Sequence, residues 1–514
     1  MHTILSYLEN AACRYKEKTI YRDAVHSITF GELNSLSKSI GTAVAEVTKP
    51  EDPVLVLAGR NIYTPACYLG IAMAGCFYAP IDPTVPDIRM QQIIGVVNAA
   101  VMITDREHLE KAQSLGFTGK ILIREEIEKT AVREEALASA RKCITDASPL
   151  YVLFTSGSTG VPKGVLTSHH AALSYLEGLQ DVIRMDETDV IGNQAPLDYI
   201  AAIRDMYLPL MTGAETFMLD ASEFAMPDRL LDSLAKAGAT TLCWSATGLE
   251  IPARLGAFDD LDGEAGSGEG VTGDGIALPP LRRVVFSGSV ISNTLLRKWQ
   301  EAFPETVFIN QYGPTEATGS CTYHIIDHFV EPDEIIPIGI PYMNYRIILL
   351  DDDNKIVPQG GTGEICVLGS ALALGYYHSP EQTAKSFVLN PANDSWNEPV
   401  YKTGDLGRTD ENGVLYFLGR KDRQFKHLGH RIEPEEIEQK ALLIPDLNNC
   451  VCLYNAEAKN ICLFYTGEAT KKDISMFLRS QLPSYMVPRK IKQLDEMPRL
   501  PNGKIDQKAI RAML

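Results

Sequence analysis

The sequence predicts an α/β fold: a large N-terminal part of layered helices and strands, a smaller β-rich stretch, then a small C-terminal α+β unit. Three observations carry this. Short apolar runs alternate with helix-period patterns through the first two thirds of the chain, which implies largely parallel strands covered by helices. After about residue 335 the texture changes to strands joined by turns. The charged stretch Gly419-Arg-Lys-Asp-Arg-Gln-Phe-Lys-His-Leu-Gly-His-Arg431 then separates off a final unit.

The elements follow in order. Ile4, Leu5, Leu8, Ala11 and Ala12 recur at helical spacing, residues 53–58 read as a buried strand, and 63–74 as a helix. Residues 101–104 and 120–123 are short strands, and the alternation continues at 190, 216–219, 240–244, 283–287 and 307–310. The acidic, glycine-rich stretch between Phe258 and Gly275 has almost no large apolar residue to bury and is expected to be a mobile surface loop. Strands are expected at 345–350, 363–368 and 414–418. The last unit should comprise 435–443, 450–454, 461–465 and 473–482. The domain boundary is expected near Asp422, giving units 1–421 and 422–514.

Composition narrows the function classes. The hydrophobic share of 45% and charged share of 22% are those of a soluble globular protein. A net charge of −18 argues against a nucleic-acid partner held by phosphate neutralisation. It would also repel an acidic partner protein, so docking one would need a local basic patch. The ten cysteines contain no Cys-x-x-Cys pair and read as reduced, buried thiols of a cytoplasmic protein. Cys450 and Cys452 would share one face of a strand. There is no basic start of a signal peptide, and no apolar run approaches the roughly 20 residues that span a bilayer, so no membrane partner is expected.

The richest motif is Leu153-Phe-Thr-Ser-Gly-Ser-Thr-Gly-Val-Pro-Lys-Gly-Val165, just after an apolar run. Glycines allow close backbone approach, hydroxyls and free N–H groups can wrap oxyanions, and Lys163 can neutralise a phosphate. The Walker pattern is absent, because Gly164 rather than Ser or Thr follows Lys163. Further along stand Asn310-Gln-Tyr-Gly-Pro-Thr-Glu-Ala-Thr318, Tyr401-Lys-Thr-Gly-Asp-Leu-Gly-Arg408, Leu428-Gly-His-Arg-Ile-Glu-Pro-Glu-Glu-Ile-Glu438 and Pro501-Asn-Gly-Lys-Ile-Asp506. Singly, such pairs mark turns, and Glu435 to Glu438 an acidic first helical turn.

Together, in this order, they resemble the adenylate-forming superfamily of acyl-CoA synthetases, luciferases and peptide-synthetase adenylation domains. The forms Gly-Arg-x-Asp-x-Gln and Asn-Gly-Lys-Ile-Asp look most like the amino-acid-activating branch, which includes the D-alanine–carrier-protein ligases. The resemblance runs from about Thr29-Phe-Gly-Glu-Leu33 to Lys504. It implies a large N-terminal domain, a small mobile C-terminal one, and a ligase that turns ATP into AMP and diphosphate. A carboxylate would attack the α-phosphate of ATP, and a thiol would then take the acyl group.

By resemblance, Thr155, Ser156, Gly157, Ser158, Thr159, Gly160 and Lys163 would hold the phosphates, and Glu316 would carry Mg²⁺. Tyr312 and Gly313 would meet adenine, and Thr315 the α-phosphate. Asp405 and Arg420 would serve the ribose, and Lys504 would bridge the two reactants. Asp422 would be the hinge that exchanges Lys504 for the segment around Gly429. The chain ends soon after Lys504, so the thiol is expected in trans, from a carrier protein or coenzyme A, with the branch favouring the carrier. A nucleotide-binding regulatory homologue is the non-enzyme alternative, against which the retention of Lys163, Glu316, Asp405 and Lys504 speaks.

The acid pocket departs from the branch pattern. A gap-free count from Leu210-Met-Thr-Gly-Ala214 puts Ile200 where an Asp would bind an α-ammonium, and an isoleucine cannot pair with that charge. The same reading lines the pocket with Asp198, Tyr199, Ala201, Arg204, Trp244, Val285, Ser287, Gln311, Gly319 and Ser320. Arg204 would face either the substrate or a neighbouring Asp198 or Asp205. Two substrate classes stay open. One is an acid without an α-amino group, such as an aryl, hydroxy or keto acid. The other is a β-amino or displaced amino acid whose amine meets Asp198.

Overall fold

The computed structural model describes all residues except 1–2, 158–159, 260, 263–270, 273–276 and 500–504, and only the backbone of 261–262 and 271–272. Lys504, Ser158 and Thr159 therefore lie outside the described residues, as does most of the acidic glycine-rich stretch.

Among the described residues two large sheets dominate. In the first, Lys120–Ile123, Val101–Thr104, Pro53–Leu57, Phe77–Ile81 and Pro149–Thr155 run parallel, and Lys163–Ser168 and Gly375–Tyr376 close one edge antiparallel. In the second, Thr19–Arg22, Glu215–Met218, Val190–Asn193, Thr241–Ser245, Arg283–Ser287 and Val307–Tyr312 are parallel neighbours. Such strands are buried on both faces, which is why they are runs of Val, Ile, Leu and Phe rather than alternating patterns.

The helices Phe30–Ala45 and Thr64–Met73 pack together between these layers. The first starts at a capping box: Thr29 accepts from the Glu32 N–H, and Glu32 accepts from the Thr29 N–H. Their backbones approach closely at Gly70, where a Cβ would sit 2.7 Å from Ile40. The β-rich stretch is an antiparallel sheet of Tyr345–Leu350, Thr362–Gly369, Phe387–Leu389, Pro399–Thr409 and Leu415–Arg420.

The residues after Asp422 have cores of their own. The strands Leu447–Asn455, Asn460–Gly467 and Lys490–Gln493 form a sheet backed by the helices Pro434–Ala441 and Lys471–Gln481. Cys450 and Cys452 face one core and Val451 the other, as strand alternation requires. The hairpin of Phe425–His427 and His430–Ile432 projects from this unit onto the N-terminal part. Among the described residues no helix is long and apolar enough to cross a membrane.

Candidate active site

The glycine-rich loop is the tip of a β-hairpin, not a strand-to-helix turn. Thr155 pairs with Lys163 and Phe154 with Gly164, so the ladder closes directly beneath residues 156–162. Gly157 is required by space: a Cβ there would lie 2.0 Å from the Val161 carbonyl oxygen. Gly160 holds φ +71°, where glycine is favoured.

At the end of the parallel strand Val307–Tyr312 the chain turns sharply through Gly313 into the 3₁₀ turn Thr315–Ala317. This delivers Glu316, fully buried, toward the loop. Its Oε1 accepts from the Tyr376 hydroxyl at 2.6 Å, and Arg431 Nη1 reaches Oε1 and Oε2 at 2.8 and 3.1 Å. Burial alone would raise the Glu316 carboxyl; the Arg431 charge and the Tyr376 hydrogen bond outweigh it and hold it below the usual range.

Asp405 lies on the strand Pro399–Thr409. The Tyr312 hydroxyl donates to one oxygen at 2.5 Å and Arg420 Nη1 to the other at 2.5 Å. Arg420 also donates twice to Asp422, at 2.6 Å each. The expected adenine, ribose and hinge residues thus form one connected chain, and the Tyr312 ring sits 6.4 Å from that of Phe417.

The 425–432 hairpin meets all of this. Gly429, at φ +83°, accepts from the Tyr199 hydroxyl at 2.6 Å, and a Cβ on it would be 3.3 Å from the Ser245 Cβ. The Ser156 hydroxyl donates to the Arg431 carbonyl at 2.6 Å, the Gly157 N–H to Glu436 Oε2 at 3.2 Å, and Lys163 Nζ lies 3.7 Å from Glu433 Oε1. Arg89 completes the contact with a 2.7 Å bond to Glu436 Oε1. Sequence reasoning named Gly429 here but missed Arg431, Glu433, Glu436 and Arg89. Glu436 does lie in the first turn of the helix Pro434–Ala441, as expected, but it is 1% exposed and is an ion-pair partner.

Of the residues expected to line an acid pocket the structure gathers Arg204, Gln311 and Ser320 and adds Tyr175, Tyr342 and Cys243, which the sequence did not mark. Arg204 donates to Gln311 Oε1 at 3.2 Å and to the Cys243 carbonyl at 2.7 Å, with its Nε 3.6 Å from Asp205 Oδ1. Gln311 donates to the Tyr342 hydroxyl at 2.6 Å, and Ser320 bridges Gln311 and Tyr175. Of its two aspartate neighbours, Arg204 meets Asp205.

Ile200 and Val285 pack with Ile203 in the apolar core beside this network. Ala201 and Ser287 are half-buried, and a Cβ on Gly319 would lie 3.1 Å from the Tyr175 ring. Trp244 is not brought to the cluster. Strand alternation turns Cys243 toward Arg204, so the Trp244 indole enters the core on the opposite face, bonded to the Gly192 carbonyl and edge-on to Trp299. Asp198 lies apart from Arg204. Burial, then the nearby charge of Asp82, pushes its carboxyl up to about 7.

A strand-end site of this kind, with a phosphate-type loop facing a buried carboxylate, agrees with the family comparison: the model described as AMP-binding enzyme matches residues 8–377. The chain belongs to the AMP-binding enzyme family, the adenylate-forming enzymes. It is similar to tyrocidine synthase 1 of Brevibacillus parabrevis, 30% identical across 94% of this chain but only 42% of that protein. It also resembles the D-alanine–D-alanyl carrier protein ligase of Bacillus anthracis, 29% identical over 99% of this chain and 98% of that one. Among solved structures, holo-PA1221, an NRPS protein containing adenylation and PCP domains, superposes with a TM-score of 0.83 at 23% identity, over 100% of this chain and 84% of that chain. This AMP-binding enzyme thus spans about two fifths of tyrocidine synthase 1, and nearly the full length of the D-alanine–D-alanyl carrier protein ligase.

For Mg²⁺ the AMP-binding enzyme offers Glu316. Among the described residues no group of three His, Cys, Asp or Glu side chains converges to hold a metal. A buried, ionised single carboxylate near the glycine-rich loop would fit an ion that takes its other ligands from phosphate oxygens and water.

Proposed function

We propose that this enzyme activates a small carboxylic acid with ATP as an acyl-adenylate and passes the acyl group to the phosphopantetheine thiol of a carrier protein. The observation that carries the reading is the meeting of four features: the glycine-rich hairpin, Glu316 and the Gly429 hairpin, joined through Arg431, and the Tyr312–Asp405–Arg420 chain that starts on the strand leading into Glu316. Both reactants are anionic, so the protein's task is positioning and charge neutralisation.

In this reading Ser156, Gly157 and Lys163 bind the leaving phosphates and Asp405 accepts the ribose hydroxyls. Glu316 holds Mg²⁺, which supplies charge neutralisation at the triphosphate. Lys504, Ser158 and Thr159 keep the roles implied by resemblance. Asp422 is the proposed hinge between units 1–421 and 422–514. The paired Tyr199 hydroxyl and Gly429 carbonyl would flank the thiol's approach.

The acceptor reading is supported by a cleft of about 830 Å³ between the two units. Thr84 and Pro86 line it from one side and Lys471, Arg479, Arg489 and Lys490 from the other, with no carboxylate in the lining. Among the described residues Lys471, Arg479 and Arg489 form no ion pair. A cationic cleft in a chain of net charge −18 is the local basic patch that an acidic, phosphate-bearing partner requires. Ser484 at its edge leads to Tyr485, which stacks on His430 at 3.7 Å, and His430 contacts Tyr199 at 5.4 Å.

For the acid, Ile200 packed in apolar core favours one without an α-amino group. Acid-dependent exchange of labelled pyrophosphate into ATP over an acid panel tests the first half-reaction. Glu316→Gln should lower that exchange by about 10²-fold or more. Offering carrier protein and coenzyme A to the preformed adenylate tests the second. Strong exchange with ordinary L-α-amino acids would overturn the substrate reading, and transfer to coenzyme A alone would overturn the carrier.

A further inference from the structure

We infer that Lys459 and Glu250 are positioning residues for the acyl-transfer half-reaction: their ion pair fixes the angle at which the C-terminal unit meets the N-terminal part. The inference rests on the proposed function, in which the Gly429 hairpin flanks the thiol's approach.

The pair lies outside the contacts that surround the glycine-rich loop. Lys459 Nζ engages both oxygens of Glu250, Oε2 at 2.6 Å. Glu250 is 5% exposed, and its Oε1 also accepts from the Ser292 N–H at 2.7 Å. Arg254, whose side chain is mostly exposed, stays 3.7 Å from Oε2. Withdrawing the close cation from a carboxylate so enclosed is costly, unlike breaking a surface pair.

Lys459 is presented stiffly. It sits at φ +46° on the turn that joins Leu447–Asn455 to Asn460–Gly467. Asn455 faces Asn460 across the base of that turn, and its side chain accepts from the Ala458 N–H at 2.8 Å. The neighbouring Tyr454 stacks on Phe425 at 4.9 Å, which ties the turn to the hairpin that carries Gly429.

Both contacts fall on one helix. Ala246–Arg254 begins at Ser245, whose hydroxyl accepts from the Gly248 N–H at 3.0 Å. A Cβ on Gly429 would lie 3.3 Å from Ser245, and Lys459 holds Glu250 further along the same helix, about 7.5 Å on at 1.5 Å per residue. One contact leaves the C-terminal unit free to swivel about it; a second on the same rigid element fixes the angle. Rotation about Asp422 would part Lys459 from Glu250, so the pair serves the transfer arrangement and not adenylation. Alignment of this kind matters because a displacement of about 1 Å at a reacting group can cost on the order of 10²-fold in rate.

The test uses the full chain and two readouts. Cys13→Ser and Cys143→Ser remove the exposed thiols, and spin labels go on Lys236→Cys and Lys472→Cys, both exposed positions. Pulsed dipolar spectroscopy then reads the distance between the two units. In unlabelled protein, single-turnover transfer from preformed adenylate to pantetheine, the arm common to carrier protein and coenzyme A, is compared with pyrophosphate exchange.

Lys459→Gln should deplete the docked distance and slow transfer at least about fivefold, with exchange unchanged. Lys459→Arg should restore both. Glu250→Gln, which keeps an acceptor for the Ser292 N–H, should match Lys459→Gln, and the double variant should be no worse than either alone. A wild-type distance distribution and transfer rate in Lys459→Gln overturn the inference and leave the proposed function standing. Equal loss of exchange and transfer, or additive losses in the double variant, also overturn it by making the pair merely structural. No acid-dependent exchange by the wild type overturns both.

Discussion

The Tyr199 hydroxyl donates to the Gly429 carbonyl at 2.6 Å, from the N-terminal part to the C-terminal hairpin. That bond joins a residue proposed for the acid pocket to the segment that would flank the thiol. Gly429 can take part because its backbone is left-handed and because a side chain there would press on Ser245. Gly429→Ala should therefore strain the docked hairpin by roughly 1–2 kcal/mol. Thioester formation from preformed adenylate should slow by about tenfold or more, with pyrophosphate exchange little changed. Equal loss in both assays would remove the hairpin from the second half-reaction.

Asp422 is gripped by two bonds from Arg420, which itself anchors on Asp405. Proline at 422 would fix φ near −65° and restrict rotation there. Asp422→Pro should preserve adenylation and block acyl transfer in single-turnover assays. A variant that still transfers at the wild-type rate would place the pivot elsewhere.

Arg204 is 2% exposed, and its hydrogen bonds go to protein groups. Its removal leaves the buried Asp205 with its Asn193 hydrogen bond but without its ion-pair partner, a change that typically costs about 3–5 kcal/mol. Arg204→Met should lower the stability measured by urea unfolding by that order. Unaltered stability with a changed acid preference would instead mean that Arg204 addresses the substrate.

Asp198 gives a signed pH dependence. Its carboxyl is held at about 7 against an ordinary 3.8. Between those values the folded protein keeps a proton that the unfolded chain has released, so this group's contribution to stability is present at low pH and lost as pH rises toward 7. Asp198→Asn should therefore raise the melting temperature relative to wild type at pH 8 and hardly at all at pH 4. The opposite order would mean a hidden cationic partner. If the acid carries an amine that meets Asp198, the same variant loses exchange with that acid.

Much of this was legible because the signals are local. Alternating strands and helices, the Thr29–Glu32 capping box and the glycine-rich loop can all be read from neighbours in sequence. What was not legible depends on partners far along the chain. Thr19–Arg22 joins a sheet through Glu215–Met218, and no nearby residue records that choice. Glu436 reads only as part of an acidic first helical turn, which it is, and its ion pair shows only once Arg89 and the Gly157 N–H are beside it. Arg204 finds a backbone carbonyl at Cys243, a partner no side-chain pattern announces. Trp244 reads as a pocket residue by alignment, yet strand parity sends it to the other side of the sheet and gives the pocket side to Cys243.

Parity has a further consequence at the glycine-rich hairpin. Because Thr155 faces Lys163 and Phe154 faces Gly164, the register of the stem decides which side of the sheet each end of the loop presents. Sliding one strand past the other by a single residue would turn Lys163 to the far side of the sheet and press a side chain against Phe154 and Val152, where only Gly164 fits. Insertions or deletions in the stem should therefore survive only in pairs.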